Sequence, residues 1–351
     1  MTQAEAPVLI EVRNRVGYLT LNRPAGLNAV TLEMVRMLHR QLQQWADDQD
    51  VVAVVLRGAG EKAFCAGGDI RSLYDSYKSG DNLHREFFEE EYALDEYIHA
   101  YSKPLMALMN GFVLGGGMGL VQGASLRVIS ERTRMGMPEV GIGYFPDVGG
   151  SYFLSRLPDN LGIYMGLTGN HVSSTDALYA GLADYSVPYE RFAELESCLD
   201  QQDWSMPARQ ALTNLLVSMG CTELPDPPFA ALAPAIEQHF AHDSVAAIRQ
   251  SLVQETRPAY RDWAAETLKV IDSRSPLSLC VTLEMLRRGR TLSLADCFAM
   301  ELKLDRQWFD QGDIIEGVRA LIVDKDKNPR WNPPTLEEVT PERVAAFLAS
   351  A

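Results

Sequence analysis

Residues 104–130 read PLMALMNGFVLGGGMGLVQGASLRVIS, and their order sets the fold class. The apolar run PLMALMNGFVLGGG (104–117) predicts a buried strand that runs into a triple glycine. MGLVQGA then reads as helix, and SLRVIS (125–130) as strand again. The same pattern occurs earlier. VVAVVLRG (51–58) is a continuous apolar strand, and AFCAGGDI (63–70) is a glycine loop leading into a helix. Strands and helices that alternate through glycine turns imply an α/β core, with sites where strands give way to helices.

Working outward, Val8–Val12 and Val16–Leu21 flank Asn14 and Arg15, which predicts a hairpin. In TLEMVRMLHRQLQQWADD (31–48), Leu32, Val35, Leu38, Leu42 and Trp45 recur every three or four residues, with Thr31 as cap. Residues 81–101 read as a helix rich in Glu and Tyr. Past residue 190 the strand signal fades, and residues 191–320 are mainly helical, with breaks at LPDPPF (224–229) and SRSPLS (273–278). The expected organisation is a core over 1–190 and a mainly helical C-terminal region over 191–351, packed on that core. Tyr185, Trp204 and Trp308 read as core or interface aromatics, and the Pro-rich tail KNPRWNPPTLEEVTPE as a surface wrap.

Bulk properties narrow the function. The chain has 351 residues, 46% of them hydrophobic, enough for a large core. A formal charge of −15 argues against a nucleic-acid or anionic-membrane surface, so an anionic ligand needs a local site. Five cysteines (65, 198, 221, 280 and 297) form no CxxC pair, as expected of reduced thiols in a cytoplasmic protein. MTQAEAPVLIEV carries no signal-peptide pattern, and no apolar run approaches the roughly 20 residues of a membrane span. There is no GxxxxGK[ST], GxSxG or HExxH, and the six histidines lack ligand spacing, so no metal is expected.

Two glycine loops and two acids remain. CAGGD (65–69) and GGGMG (115–119) can each present unpaired amides at a helix start, and two such amides can hold one developing oxyanion. MPEVGIGYFPDVGG (137–150) places Glu139 and Asp147 among four glycines and two prolines. Singly, each acid reads more readily as a structural residue, Asp147 in a turn or cap and Glu139 in the first turn of a helix. Together, beside two candidate oxyanion loops, they suit acid/base or nucleophilic work on a carbonyl.

NRPAGLNAV (22–30), AFCAGGDI (63–70), NGFVLGGGMGL (110–120) and MPEVGIGYFPDVGGSYFL (137–154) resemble the crotonase, or enoyl-CoA hydratase/isomerase, superfamily in order and spacing. FFEEEY (87–92) and DIIEGVRALIVDKDKNPRW (313–331) extend the likeness toward the superfamily's hydrolases of 3-hydroxyisobutyryl-CoA. The resemblance implies a spiral of ββα turns, often assembled as a trimer, and an acyl-CoA thioester substrate without metal or redox cofactor. It implies oxyanion amides at Gly68 and Gly116, a catalytic glutamate at Glu139 and a second acid at Asp147. Substrate contacts are implied at Glu91 and along Cys65, Ala66, Gly67 and Asp69. The hydratases' first glutamate would fall at Gly119, which cannot move a proton, so paired-glutamate hydration is disfavoured. A lysine that many members use near CoA is missing from PAGLNA, which leaves Arg23 or Arg71 to meet a phosphate.

Overall fold

Asn14 and Arg15 both adopt left-handed backbone, with φ of 42° and 66°, as a two-residue hairpin turn requires. They join β1 (Val8–Arg13) to β2 (Val16–Leu21) as an antiparallel pair. The strands that follow are β3 (Ala53–Gly58), β4 (Ala63–Cys65), β5 (Leu105–Met109), β6 (Phe112–Leu114), β7 (Leu126–Ile129), β8 (Arg134–Gly136) and β9 (Tyr185–Ser186). A six-stranded sheet runs β1-β2-β3-β5-β7-β9, parallel beyond its first pair, and a three-stranded sheet runs β4-β6-β8. This computed structural model describes residues 6–221 and 224–349. The reading that MTQAEAPVLIEV carries no leader falls in part on residues 1–5, which lie outside the described residues.

The chain divides into two compact units, each drawn from three stretches. The first comprises Met1–Asp69, Ala93–Met135 and Val172–Pro227, and the second Ile70–Tyr92, Gly136–His171 and Pro228–Ala351. Neither unit ends at residue 190.

In the first unit the inner strands β2 and β5 of the six-stranded sheet are buried on both faces, as strands covered on both sides must be, while the edge strand β1 exposes Glu11 and Val12. On one face Tyr18, Val55, Met106 and Val128 meet Leu195 and Leu216 from helices Phe192–Asp200 and Ala208–Met219. The amphipathic helix Leu32–Asp47 is present as expected. Thr31 accepts a hydrogen bond from the Met34 amide, and Leu32, Val35, Leu38, Leu42 and Trp45 are buried. A side chain at Gly17 would collide with the Trp45 ring, so the glycine sets how closely strand and helix approach.

The run 104–117 is two strands, β5 and β6, in two different sheets. Gly111, at φ 67°, turns the chain between them, and a Cβ there would lie 2.1 Å from the Lys62 carbonyl oxygen. Periodicity cannot show this break, because both strands are apolar throughout.

The second unit is mainly helical. Helix Leu161–Thr168 is buried on all sides and packs on helix Pro276–Gly289. The tail does more than wrap a surface. It ends in helix Pro341–Ala349, whose buried Phe347 sits 4.9 Å, ring to ring, from Trp308. His239, in helix Pro228–Phe240, is fully buried between Ser251 and Glu255 at 2.7 and 2.8 Å, a helix-joining contact with no metal geometry.

Gly111→Ala should destabilise the protein by about 1–3 kcal/mol or more, from left-handed strain plus the clash with Lys62. Thermal unfolding measures it, and an unchanged midpoint would refute the role given to this turn.

Candidate active site

The first unit contains the two glycine loops. CAGGD follows β4 and is threaded beside residues 27–30. Ala66 N–H donates to the Leu27 carbonyl at 3.1 Å, Val30 N–H to Gly67 at 2.9 Å, and Asp69 N–H to Val30 at 2.8 Å. Asn28 is fully buried and braces this corner, donating to the Ala59 and Ala63 carbonyls, both at 2.9 Å. The second loop starts helix Gly116–Gln122. The loops touch. A Cβ at Gly67, where φ is 101°, would lie 3.7 Å from the Gly116 nitrogen, and one at Gly117 would lie 2.6 Å from the Cys65 oxygen. Neither the Gly68 nor the Gly116 amide is a donor in the loop hydrogen bonds of the described residues.

The other residues of the loop have local roles. The Cys65 thiol is buried against the Gly67 carbonyl at 3.6 Å. Asp69 pairs with Arg23 at 2.9 Å, and the same guanidinium also donates to Ala29, so Arg23 ties the two segments together. Arg71, in the second unit, is half-exposed and pairs with Asp75 one helical turn on.

The second unit contains the acids. Glu139 starts a 3-10 turn, Glu139–Ile142, that Tyr144 N–H closes by donating to the Glu139 carbonyl at 3.0 Å. Glu139 is 7% exposed, and its buried Oε2 has no hydrogen-bond partner among the described residues. Asp147, 4% exposed, accepts from the Tyr92 hydroxyl at 2.7 Å. Val148 and Gly149 follow with φ of 51° and 83°. A β-branched residue in left-handed backbone is strained, so the surroundings must hold it there. Glu91 is buried on helix Leu83–His99, one residue before Tyr92.

Helix Leu294–Gln311 supplies that hold. Glu301 accepts from the Gly149 amide at 2.7 Å, the Ser151 amide at 2.8 Å and the Ser151 hydroxyl. Asp305, one turn on, accepts from the Tyr144 hydroxyl at 2.8 Å, and the Tyr144 and Tyr92 oxygens lie 3.4 Å apart. Trp308 donates its indole N–H to the Gly143 carbonyl at 2.7 Å. Tyr92, Tyr144, Glu301 and Asp305 were not anticipated. The signal was available: Cys297, Glu301, Leu304, Asp305 and Trp308 form one helical stripe, and two acids interrupt an otherwise apolar face.

Burial dominates the electrostatics. It pushes Glu139 well above the usual carboxylate range, and the nearby Asp147 charge pushes the same way. Burial raises Asp147 to about 7 against the downward pull of the Tyr92 hydrogen bond, and Glu301 to about 8 against its three donors. Asp305 is also raised well above normal, again by burial first. Two interacting carboxyls with separated proton affinities can divide acid and base roles. Among the described residues no group of three His, Cys, Asp or Glu side chains is placed to hold a metal, and no helix is long and apolar enough to cross a membrane.

A parallel sheet with touching glycine loops, in a chain that also buries two coupled acids, is the equipment of a crotonase-type protein. Residues 16–348 match the enoyl-CoA hydratase/isomerase family, and the chain belongs to it. It is 40% identical over 347 residues to the mitochondrial 3-hydroxyisobutyryl-CoA hydrolase of Gallus gallus, spanning 98% of this chain and 89% of that protein. With the Homo sapiens protein of the same name it shares 38% over 348 residues, 97% of this chain and 88% of that one. Among solved structures, a carnitinyl-CoA dehydratase from Mycobacterium thermoresistibile superposes with TM-score 0.90 at 38% identity, covering 98% of this chain and 96% of that one. An enoyl-CoA hydratase from Rhodobacter sphaeroides 2.4.1 gives 0.88 at 37%, covering 98% and 97%. The expected spiral α/β architecture is therefore present.

The raised acids have a consequence for stability. Unfolded, Asp147 and Glu301 return to about 3.8 and 4.5. Between there and the folded values of about 7 and 8, the native state binds more protons than the unfolded chain, so unfolding free energy falls as pH rises. Thermal unfolding of the ligand-free protein should occur at lower temperature at about pH 8 than at about pH 5. Glu301→Gln should flatten that slope, and an identical slope in the variant would contradict the assignment.

Proposed function

We propose that this chain hydrolyses the thioester of 3-hydroxyisobutyryl-CoA to 3-hydroxyisobutyrate and CoA, a step of valine breakdown, with 3-hydroxypropionyl-CoA as a second substrate. The observation that carries this reading is the buried Glu139 carboxyl, its Oε2 without a hydrogen-bond partner among the described residues and its proton affinity raised by burial and by the nearby Asp147 charge. A buried acceptor kept unsatisfied is costly, and an incoming water or acyl group is the partner it lacks. The strong likeness to relatives named as hydrolases supports the choice of reaction.

In this reading the Gly68 and Gly116 amides stabilise the oxygen that gains charge as the thioester carbonyl becomes tetrahedral. One such donor is typically worth about 2.7–4 kcal/mol of barrier. Glu139 either attacks the acyl carbon, forming a mixed anhydride that water opens, or takes the proton of the attacking water. Both routes consume one water, break the carbon–sulfur bond and release CoA as the thiol. In the general-base route the water oxygen adds to the acyl carbon. In the anhydride route water attacks the Glu139 carboxyl carbon, and the product acid keeps the original Glu139 oxygen. Solvent oxygen-18 incorporated into Glu139 during a single turnover marks the anhydride route. Asp147 and Glu91 hold the 3-hydroxyl, with Cys65, Ala66, Gly67 and Asp69 shaping the acyl end. The reaction calls for no metal or redox group. A trimer is the assembly we expect. The cytoplasm is the compartment we propose, since the five cysteines are free thiols that suit a reducing one.

A second reading, hydration or isomerisation of an enoyl-CoA, is favoured by the likeness to the dehydratase and hydratase structures named above. Gly119, buried in helix Gly116–Gln122, opposes hydration because the position offers no carboxyl.

Purified protein should release thiol from 3-hydroxyisobutyryl-CoA, and Glu139→Gln should lower kcat by about 10²–10⁴-fold. Isobutyryl-CoA should turn over far more slowly, because polar groups built for a hydroxyl go unpaired without it. Hydration of crotonyl-CoA without thiol release would overturn the assignment in favour of the second reading.

A further inference from the structure

We propose that helix Leu294–Gln311 is the positioning element for Asp147, acting through Glu301 on the backbone and through Asp305, Tyr144 and Tyr92 on the carboxylate. The proposal rests on the reading above that Asp147 touches the substrate's hydroxyl. Three observations carry it. First, the Val148–Gly149 turn is left-handed, and the amides on its far side donate to Glu301. Second, the Asp147 carboxylate has one side-chain donor, the Tyr92 hydroxyl, whose oxygen contacts that of Tyr144, itself bonded to Asp305. Third, Glu301 and Asp305 are four residues apart, on one face of one rigid helix.

A bulk packing role needs none of these polar groups. An apolar stripe would pack as well, and burying acids there is unfavourable unless they do something specific. The titratable groups that act on this carboxylate and its Tyr92 donor are Glu139 from the same loop region, Tyr144, and Glu301 and Asp305 from the helix. Arg306 and Glu89 act on Asp305 from the half-exposed end of the network.

Positioning and mere stability make different predictions. Loss of stability lowers turnover of all acyl groups alike. Loss of position weakens only what Asp147 recognises. The variants are Tyr92→Phe, which keeps the ring and its packing, Asp305→Asn and Glu301→Gln. For each, kcat/KM is measured with 3-hydroxyisobutyryl-CoA and isobutyryl-CoA. The preference for the hydroxylated substrate should fall about tenfold or more, mainly through the hydroxylated substrate, in a protein that still unfolds cooperatively. An unchanged preference, or a proportional loss on both substrates, would overturn the proposal.

A ligand-free readout separates this from failure of the functional reading. The Asp147 carboxyl is followed by infrared difference against Asp147→Asn. Tyr92→Phe should move its titration upward by about one pH unit, because a donor to the ionised form is gone. An unmoved titration refutes the positioning chain. A moved titration in a protein that releases no thiol upholds the chain and refutes the hydrolase reading. If Glu301→Gln fails to fold, the isosteric Tyr92→Phe decides alone.

Discussion

Four carboxyls, Glu139, Asp147, Glu301 and Asp305, are buried in one compact unit. Among the described residues, the partners that other residues lend them include two phenols, one serine hydroxyl and two backbone amides. An acid taken out of water either neutralises or is held by donors. Here the solution is graded. Glu301 has three donors, Asp305 and Asp147 each have one phenol, and the Glu139 Oε2 has none. Glu301 is the best satisfied of the four, and Glu139 keeps one carboxyl oxygen without a hydrogen-bond partner among the described residues. The surrounding helices follow from this, since the low dielectric that separates the proton affinities requires that water stay out.

That grading also bears on which reaction runs. Identity alone does not choose. Relatives named as hydrolases and structures titled as a hydratase and a dehydratase all lie at 37–40% identity over nearly the whole chain. The choice turns on where carboxyls stand. Addition of water across a double bond by the paired-glutamate route needs a second acid on helix Gly116–Gln122, where Gly119 offers no side chain. Thioester cleavage needs one acid near the acyl carbon and donors for the oxyanion. A second acid beyond Glu139 is then free to read the acyl group.

The sequence made much of this legible. Turn residues located the hairpin, a 3.6 period the helix capped by Thr31, and short continuous apolar runs the buried strands. Glu139 and Asp147 are buried as their apolar surroundings suggested, Glu91, singled out only by the resemblance, is buried as well, and the two glycine loops touch. The split of residues 104–117 into β5 and β6 was hidden, because one glycine in an apolar run carries no period. Glu301 and Asp305 were hidden for another reason. A stretch read only as mainly helical does not reveal what its buried polar residues face, and their partners lie about 150 residues away in sequence. Trp308 read as a core aromatic and is one, but its indole N–H also fixes the Gly143 carbonyl.

Glu301, Asp305 and Trp308 lie within eight residues, about 10 Å of helix. Over that length they meet Gly143, Tyr144, Gly149 and Ser151, so both ends of the segment carrying Asp147 are fixed to one rigid rod. Within the segment the backbone supplies little, chiefly the Gly150 amide donating to the Asp147 carbonyl. A glycine-rich loop of this kind has many accessible conformations, and each contact from the helix removes some of them. The left-handed Val148 is then the residual strain of holding the loop to a shape it would not adopt alone. Such a loop can be shaped finely by changes on a distant helix without altering any residue that meets substrate.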